Sequence, residues 1–264
     1  MVCEAFRAYI FDLDGVIYRG EEPQSGAAEI IQTLRSRGEQ VYFLTNNSTQ
    51  SRSQYAEKLT RLGVPARPED VMTSAYATAL YIREHKPGNC RAYVVGESGL
   101  KQELRSEGIE VVEEPNGKPI DFVVAGLDRE FNYAKLFNAQ QAILKGAIFV
   151  ATNRDPTFPL EEGLLCPGGG TMVAAIQTAT GVDPQVIGKP DTYSVKKVMD
   201  MAGATPEETV VIGDRLDTDV WGGKRAGART VLVLTGVTTE AEARNAPEEM
   251  KPDWIIRSLA ELIQ

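Results

Sequence analysis

Apolar residues recur along this chain in short unbroken runs separated by amphipathic stretches, the alternation expected of buried strands joined by crossover helices. Ala8-Tyr9-Ile10-Phe11, Gln40-Val41-Tyr42-Phe43-Leu44, Thr209-Val210-Val211-Ile212 and Thr230-Val231-Leu232-Val233-Leu234 are continuous enough to be strands covered on both faces, as a parallel sheet requires. Trp254-Ile255-Ile256 predicts a short late strand before a terminal helix. Ala27, Ile30, Ile31 and Leu34 form one helical face closed by Gly38; Val195, Val198, Met199 and Ala202 form another, ending at Gly203. A second group of strands is predicted over Ala92 to Val95, Phe122 to Ala125 and Ile148 to Ala151. Between the last two, Tyr133, Leu136, Phe137, Ile143 and Leu144 recur at helical spacing, a stripe that reads as core. The class is α/β with a parallel sheet, and 264 residues suffice for two modest domains with cores of their own.

Chemistry concentrates where these runs end. Asp12 follows the first run, so a parallel strand would deliver its carboxylate to the C-terminal edge of the sheet, where such folds bind ligands. Asp14 leaves the strand in a turn opened by Gly15, so two carboxylates face one small volume with separate tasks. Asp12 suits in-line attack on phosphorus to form an aspartyl-phosphate. Asp14 suits protonation of the leaving oxygen and then deprotonation of the hydrolytic water. The second run ends in Thr45 and Asn46, whose hydroxyl and amide can hold phosphoryl oxygens, while Ser48 suits the cap of the next helix. Lys189 follows Val186-Ile187 and precedes Pro190, a favoured first helical residue, so its ammonium is expected where a strand gives way to a helix and can neutralise the transferring group. The exit of the Thr209 run carries Asp214, Asp217 and Asp219. Hard oxygen donors of this kind suit Mg²⁺, with Asp214 as ligand, Asp219 orienting it from behind, and Asp217 in the first turn of the following helix.

Spacing locates a second domain. Asp14 and Thr45 are separated by just enough chain for a flap, a helix and a strand, whereas Thr45 to Lys189 spans more than half the sequence. A whole domain is therefore inserted there. The expected organisation is a core of residues 1–78 and 184–264 with an inserted domain over 79–183.

The four segments Asp12-Leu13-Asp14-Gly15, Thr45-Asn46-Asn47-Ser48, Gly188-Lys189-Pro190 and Gly213-Asp214-Arg215-Leu216-Asp217-Thr218-Asp219 resemble, in order and context, the motifs of the haloacid dehalogenase (HAD) superfamily of phosphatases. Further matches at Asp14 to Gly20, Ala151 to Asp155 and Pro167 to Thr171 resemble its subfamily IIA, the p-nitrophenyl phosphatase and phosphoglycolate phosphatase branch, over nearly the whole chain. The resemblance implies a Rossmann-like HAD core with an inserted α/β cap. It also implies Asp12 as nucleophile and Asp14 as acid/base whose backbone carbonyl touches Mg²⁺. Thr45 and Lys189 would then bind phosphate, and Asp214 and Asp219 would be the metal-site acids. It further implies a cap loop over Asn153 to Gly163 that contacts the leaving group, with Arg154, Asp155, Thr157, Phe158 and Leu160 as candidate specificity residues. Arginine there suits a substrate carboxylate or second phosphate, and phenylalanine suits a ring or alkyl chain. Members often pair through their caps, so a homodimer is an open expectation, although no interface signature stands out.

The expected activity is thus a Mg²⁺-dependent phosphomonoesterase for a small phosphorylated metabolite. The competing class is a binding or regulatory protein that keeps the fold without turnover; a phosphomutase or a dehalogenase fits the motif set less well. With 28 Lys+Arg against 37 Asp+Glu the net charge is −9, which argues against nucleic acid and membrane surfaces as partners. The absence of a charged-then-apolar leader or a bilayer-length apolar run leads to the expectation of a cytoplasmic protein. Cys3, Cys90 and Cys166 are odd in number and widely spaced, fitting reduced thiols. Gly96-Glu97-Ser98-Gly99 is not a nucleophile elbow, and the only histidine, His85, precedes that serine. Gly168-Gly169-Gly170 lacks the P-loop pattern and reads as a loop before a helix from Met172 to Thr180, its amides a candidate ligand contact.

Overall fold

The computed structural model describes residues 5–159 and 164–262. The first part of the chain runs β1 (Ala8–Phe11), a small hairpin of β2 (Tyr18–Arg19) and β3 (Glu22–Pro23), α1 (Ala27–Ser36), β4 (Gln40–Thr45), α2 (Arg52–Arg61) and β5 (Val71–Thr73). Next come α3 (Ser74–His85), β6 (Cys90–Val95), α4 (Ser98–Ser106), β7 (Ile109–Val112), β8 (Phe122–Ala125), α5 (Tyr133–Leu144), β9 (Ile148–Ala151), β10 (Thr157–Pro159), β11 (Leu165–Pro167), α6 (Gly169–Thr180) and β12 (Gln185–Val186). The chain closes with α7 (Tyr193–Ala202), β13 (Thr209–Gly213), α8 (Trp221–Arg225), β14 (Arg229–Val233), α9 (Glu240–Arg244) and β15 (Trp254–Ile256).

Two compact units result, one of residues 1–45, 53–72 and 189–264, the other of residues 46–52 and 73–188. The boundaries expected from spacing lay at 78/79 and 183/184. The units divide instead at 72/73 and 188/189, because α3 and the strand β12 pack with the second unit, which also takes up the loop 46–52.

The first unit is built on a six-stranded sheet ordered β15-β14-β13-β1-β4-β5. β1 lies at its centre, parallel to both neighbours, with Phe11 opposite Ile212 on one side and Phe43 on the other. Every residue of β1 and β13 is buried, which explains the unbroken apolar runs. The predicted face of α1 packs inward through Ala27, Ile30, Ile31 and Leu34, and Gly38 follows at φ 83°, a left-handed turn that stops the helix. On α7 Val195, Val198, Met199 and Ala202 are buried and Gly203 takes φ 58°. After β15 the chain makes one 3₁₀ turn, Leu259–Glu261, in place of the expected terminal helix.

The second unit has its own five-stranded sheet, ordered β12-β9-β8-β6-β7, in which each strand runs parallel to its neighbours. Its core gathers Tyr93, Val95, Val123, Ala125, Ala139, Ile143, Phe149, Val173 and Ile176. The stripe on α5 read as core divides. Ile143 is buried and Leu136 packs against the core, but Tyr133, Phe137 and Leu144 are exposed at 82%, 51% and 61%. The reason is geometric: Ala139 and Ile143 already fill the inward face, so residues at i, i+4 and i+11 from Tyr133 fall on the outer one.

Phe43 is wholly buried in β4 among the core residues of the first unit. Phe43→Ala is expected to cost about 3–5 kcal/mol in stability, read as a lowered urea midpoint with unchanged m-value.

Candidate active site

The register of the central strands decides where the motif residues stand. Because Phe11 pairs with both Ile212 and Phe43, the residues just beyond these three stand together at one edge of the sheet: Asp12, Gly213 with Asp214, and Leu44 with Thr45. Asp12 is still held to the sheet by its amide, which donates to the Ile212 carbonyl at 2.8 Å.

Lys189 enters this edge. Its Nζ donates to Asp12 Oδ1 at 2.6 Å, to Asp219 Oδ1 at 2.6 Å and to the Leu44 carbonyl at 3.1 Å. Lys189 is 2% exposed, so these bonds stand in for the water shell of its ammonium. The local structure before it differs from expectation. The strand preceding Lys189 is β12, which pairs with β9 in the other sheet, and Pro190 lies in a turn ahead of α7, which begins only at Tyr193.

Three carboxylates, of Asp12, Asp214 and Asp219, offer oxygens within 4.8 Å of one another. Asp219 thus stands in the cluster itself, with one oxygen on Lys189 and the other accepting from the Arg215 amide at 3.1 Å. Asp214 Oδ2 accepts from the Val237 amide at 2.8 Å. Glycines make room for these groups: a Cβ on Gly236 would stand 1.9 Å from Asp214 Oδ2, one on Gly15 2.7 Å from the same atom, and one on Gly213 2.1 Å from the Asp219 Cβ. Gly15 also requires its freedom conformationally, at φ 84°.

The electrostatics follow from burial. Desolvation pushes the Asp12 carboxyl well above its ordinary range against the pull of Lys189, with Asp219 and Asp214 pushing the same way as burial. Asp214 is raised to about 6, first by burial and then by Asp219. Lys189 is raised, because Asp12 and Asp219 outweigh its own desolvation. One ammonium against three acids leaves negative charge uncompensated in a buried space, lined by hard oxygen donors. That is the chemistry of a Mg²⁺ site, and the residues fit the ion.

Asp14 stands apart from this cluster. Asp14 is itself exposed to solvent, but desolvation by the surrounding protein raises its carboxyl, and its partner is the Tyr18 phenol, 3.5 Å from Oδ2. The Thr45 side chain, 4% exposed, is hydrogen-bonded to the Tyr55 phenol. Burial holds both phenols well above their ordinary pKa, so they remain O–H groups. Asp217 forms a two-pronged ion pair with Arg215, at 3.0 and 2.8 Å, in the first turn after the strand.

The remaining expected residues group in the second unit. Asn46 commits its amide to Asp155, 3.3 and 3.2 Å from its two oxygens, and its carbonyl accepts from Asn153 Nδ2 at 2.6 Å and from Ser74 Oγ at 2.5 Å. Ser48 is buried beside Thr152 and Gly126 and lies four residues ahead of α2, so it does not cap that helix. Arg154 is exposed and 3.7 Å from the still more exposed Asp183. Thr157 and Phe158 lie in the β10–β11 hairpin, and the Arg129 guanidinium stands 5.8 Å from the Phe158 ring centroid. Leu160 lies outside the described residues. The triple glycine serves packing: the Gly168 and Gly170 amides donate to the Pro156 and Asp155 carbonyls, and a Cβ at either would meet backbone within 2.4 Å. The helix it opens begins at Gly169, three residues earlier than expected.

Comparison with known proteins gives the family of the chain. The chain matches the family described as Haloacid dehalogenase-like hydrolase over residues 9–110 and a HAD-hydrolase-like family over residues 186–262. It is 38% identical to the acid sugar phosphatase of Staphylococcus aureus over 258 residues, 98% of this chain and 97% of that protein. Among solved structures it resembles the p-nitrophenyl phosphatase of Archaeoglobus fulgidus (36% identity, TM-score 0.91, 98% of each chain). It also resembles the glycerol phosphate phosphatase of Mycobacterium tuberculosis in complex with magnesium (36% identity, TM-score 0.90, 98% of this chain and 77% of that one). The chain belongs to the haloacid dehalogenase superfamily.

Between the ordinary carboxylate pKa and about 6, the folded protein holds a proton on Asp214 that the unfolded chain has released. Stability should therefore fall as pH rises through that window. In EDTA the urea midpoint is expected to be higher at pH 5 than at pH 7, and Asp214→Asn should flatten the difference. A wild-type midpoint that rises over the same interval would contradict the assignment.

Proposed function

We propose that the protein is a Mg²⁺-dependent phosphomonoesterase acting on small soluble esters of the p-nitrophenyl phosphate, phosphoglycolate, sugar phosphate or nucleoside monophosphate type. The observation that carries this reading is the salt-bridged cluster of Asp12, Lys189, Asp219 and Asp214 at one sheet edge. The family and its phosphatase relatives support it, and the magnesium complex of one of those relatives supports the choice of ion.

In this reading Asp12 attacks phosphorus, and Lys189 keeps its attacking group ionised and aimed. Asp14 gives a proton to the leaving oxygen as the P–O bond breaks, then takes one from the water that opens the aspartyl-phosphate. Thr45 donates to a phosphoryl oxygen. The carboxylates of Asp12 and Asp214 and the Asp14 carbonyl would hold Mg²⁺, with Asp219 fixing Lys189 beside them. The ion would supply charge neutralisation at the phosphoryl oxygens. Asn46 acts on phosphate only indirectly, since its amide is bound to Asp155. Specificity is assigned to Arg154, Asp155, Thr157 and Phe158, with Leu160 beside them in sequence.

A cytoplasmic site of action is part of the same proposal: among the described residues no helix is long and apolar enough to cross a membrane, and the free Cys90 and Cys166 suit a reducing compartment. Asp12→Asn is expected to lower kcat on p-nitrophenyl phosphate at least about 10³-fold while the protein stays folded. Near-normal phosphate release by that variant, or undiminished wild-type release in EDTA, would refute the reading.

For a second copy of the chain as partner, the support is the outer face of α5, where Tyr133, Phe137 and Leu144 are exposed together. Light scattering should then report a dimer for the wild type and a monomer for Phe137→Glu.

A further inference from the structure

We propose that two buried tyrosines, Tyr18 and Tyr55, are positioning residues that decide which oxygen of Asp14 and which direction of the Thr45 hydroxyl are offered to the phosphoryl group. The proposal rests on the phosphomonoesterase reading above. The two tyrosines are 1% and 2% exposed, so each hydroxyl must find its partner inside the protein. Tyr18 finds Asp14 Oδ2 at 3.5 Å. Its backbone is tied into the same turn, since the Gly15 amide donates to the Tyr18 carbonyl at 2.8 Å and Asp14 and Tyr18 form a β-bridge. Tyr55, on α2, finds the Thr45 side chain. One turn further along α2, Lys58 stands 4.0 Å from the centroid of the Tyr18 ring and 3.4 Å from the Glu21 carboxylate. The helix therefore holds both tyrosines in place, one as part of itself and one through a cation–π contact with the β2–β3 hairpin.

The chemical need is specific. A carboxylic acid that protonates a leaving oxygen must carry its proton on the oxygen that faces the substrate. A phenol donating to Oδ2 leaves Oδ1 as the bearer, and the proton passes from there to the ester oxygen as the P–O bond breaks while the phenol keeps its own. A threonine hydroxyl has a single hydrogen. The Tyr55 phenol is assigned as donor to Oγ1, which directs the threonine hydrogen away from the phenol and toward a phosphoryl oxygen. Neither tyrosine touches the reacting atoms.

The test uses Tyr18→Phe and Tyr55→Phe, which keep the rings and remove only the hydroxyls, each also made in the background of its partner's variant. Substrates are p-nitrophenyl phosphate, whose leaving group needs little protonation, and glycerol phosphate, whose alkoxide needs much; inorganic phosphate serves as the inhibitor. Tyr18→Phe is expected to lower kcat on the alkyl ester about tenfold, the worth of one hydrogen bond, with p-nitrophenyl phosphate within about twofold and KM unmoved. In Asp14→Asn it should cost nothing more. Tyr55→Phe should weaken inhibition by inorganic phosphate about tenfold and add nothing in Thr45→Val. Additive losses in the paired variants, or equal slowing of both esters by Tyr18→Phe, would overturn the proposal with the phosphatase reading intact. A wild type that hydrolyses neither ester would overturn both.

Discussion

One buried ammonium makes the site possible. Moving a carboxylate out of water costs several kcal/mol even after relaxation, and two placed side by side repel as well. Lys189 offsets this for Asp12 and Asp219 at once, by bonds of 2.6 Å to each. A further bond from the same ammonium, to the Leu44 carbonyl, ties it to the strand that ends in Thr45. The compensation is incomplete, because Asp214 adds a third acid to the group. The residual charge is a stability cost that the fold carries and a bound divalent cation would relieve, so the same electrostatics that weaken the metal-free protein define its affinity for the ion.

Such an arrangement needs positions fixed to fractions of an ångström, and the sheet supplies them. β1 is central and parallel on both sides, so its register with β13 and β4 sets the lateral order of Asp214, Asp12 and Thr45 without help from loops. The loops contribute clearance and aim. Gly15, Gly213 and Gly236 leave out the side-chain atoms that would collide with Asp214 and Asp219. The Val237 amide fixes Asp214, and the Thr235 hydroxyl donates to the Gly15 carbonyl at 2.6 Å, joining the exit of β14 to the turn after β1. A cluster of like charges is thus held by the Val237 and Arg215 amides and the Lys189 ammonium, the condition under which a strained electrostatic arrangement persists.

The residues that carry charge at strand exits were legible because buried parallel strands announce themselves as apolar runs, and the residue just past the end of such a run has a known place in space. Asp12, Thr45 and Asp214 are placed by that alone. Lys189 was legible as chemistry but not as structure: the two-residue strand before it joins the neighbouring sheet, and two-residue strands leave almost no periodicity to read. Tyr18 and Tyr55 gave no signal, since a buried tyrosine in a pattern looks like any core aromatic and its hydroxyl partner is set by tertiary contact. Gly236 was equally silent; only the position of Asp214 Oδ2 shows why no Cβ is tolerated there. The α5 stripe failed for the opposite reason. Helical spacing identifies residues that share a helix, but small residues such as Ala139 can claim the inward face and leave the large ones outside.

The stretch 153–156 is kept in shape by backbone and side-chain hydrogen bonds rather than by regular structure of its own. The Asp155 and Pro156 carbonyls are met by the amides of Gly170 and Gly168, an approach that any side chain at those two positions would block. The Asp155 carboxylate is met by the Asn46 amide, and Asn153 by the Asn46 carbonyl. Asn46 is the residue directly after Thr45, and the chain passes from one compact unit to the other at that peptide bond, as it does again between Gly188 and Lys189. A change at Asp155 would therefore free the Asn46 side chain. Asn46, Asn153 and Asp155 thus form one hydrogen-bonded group within the second unit.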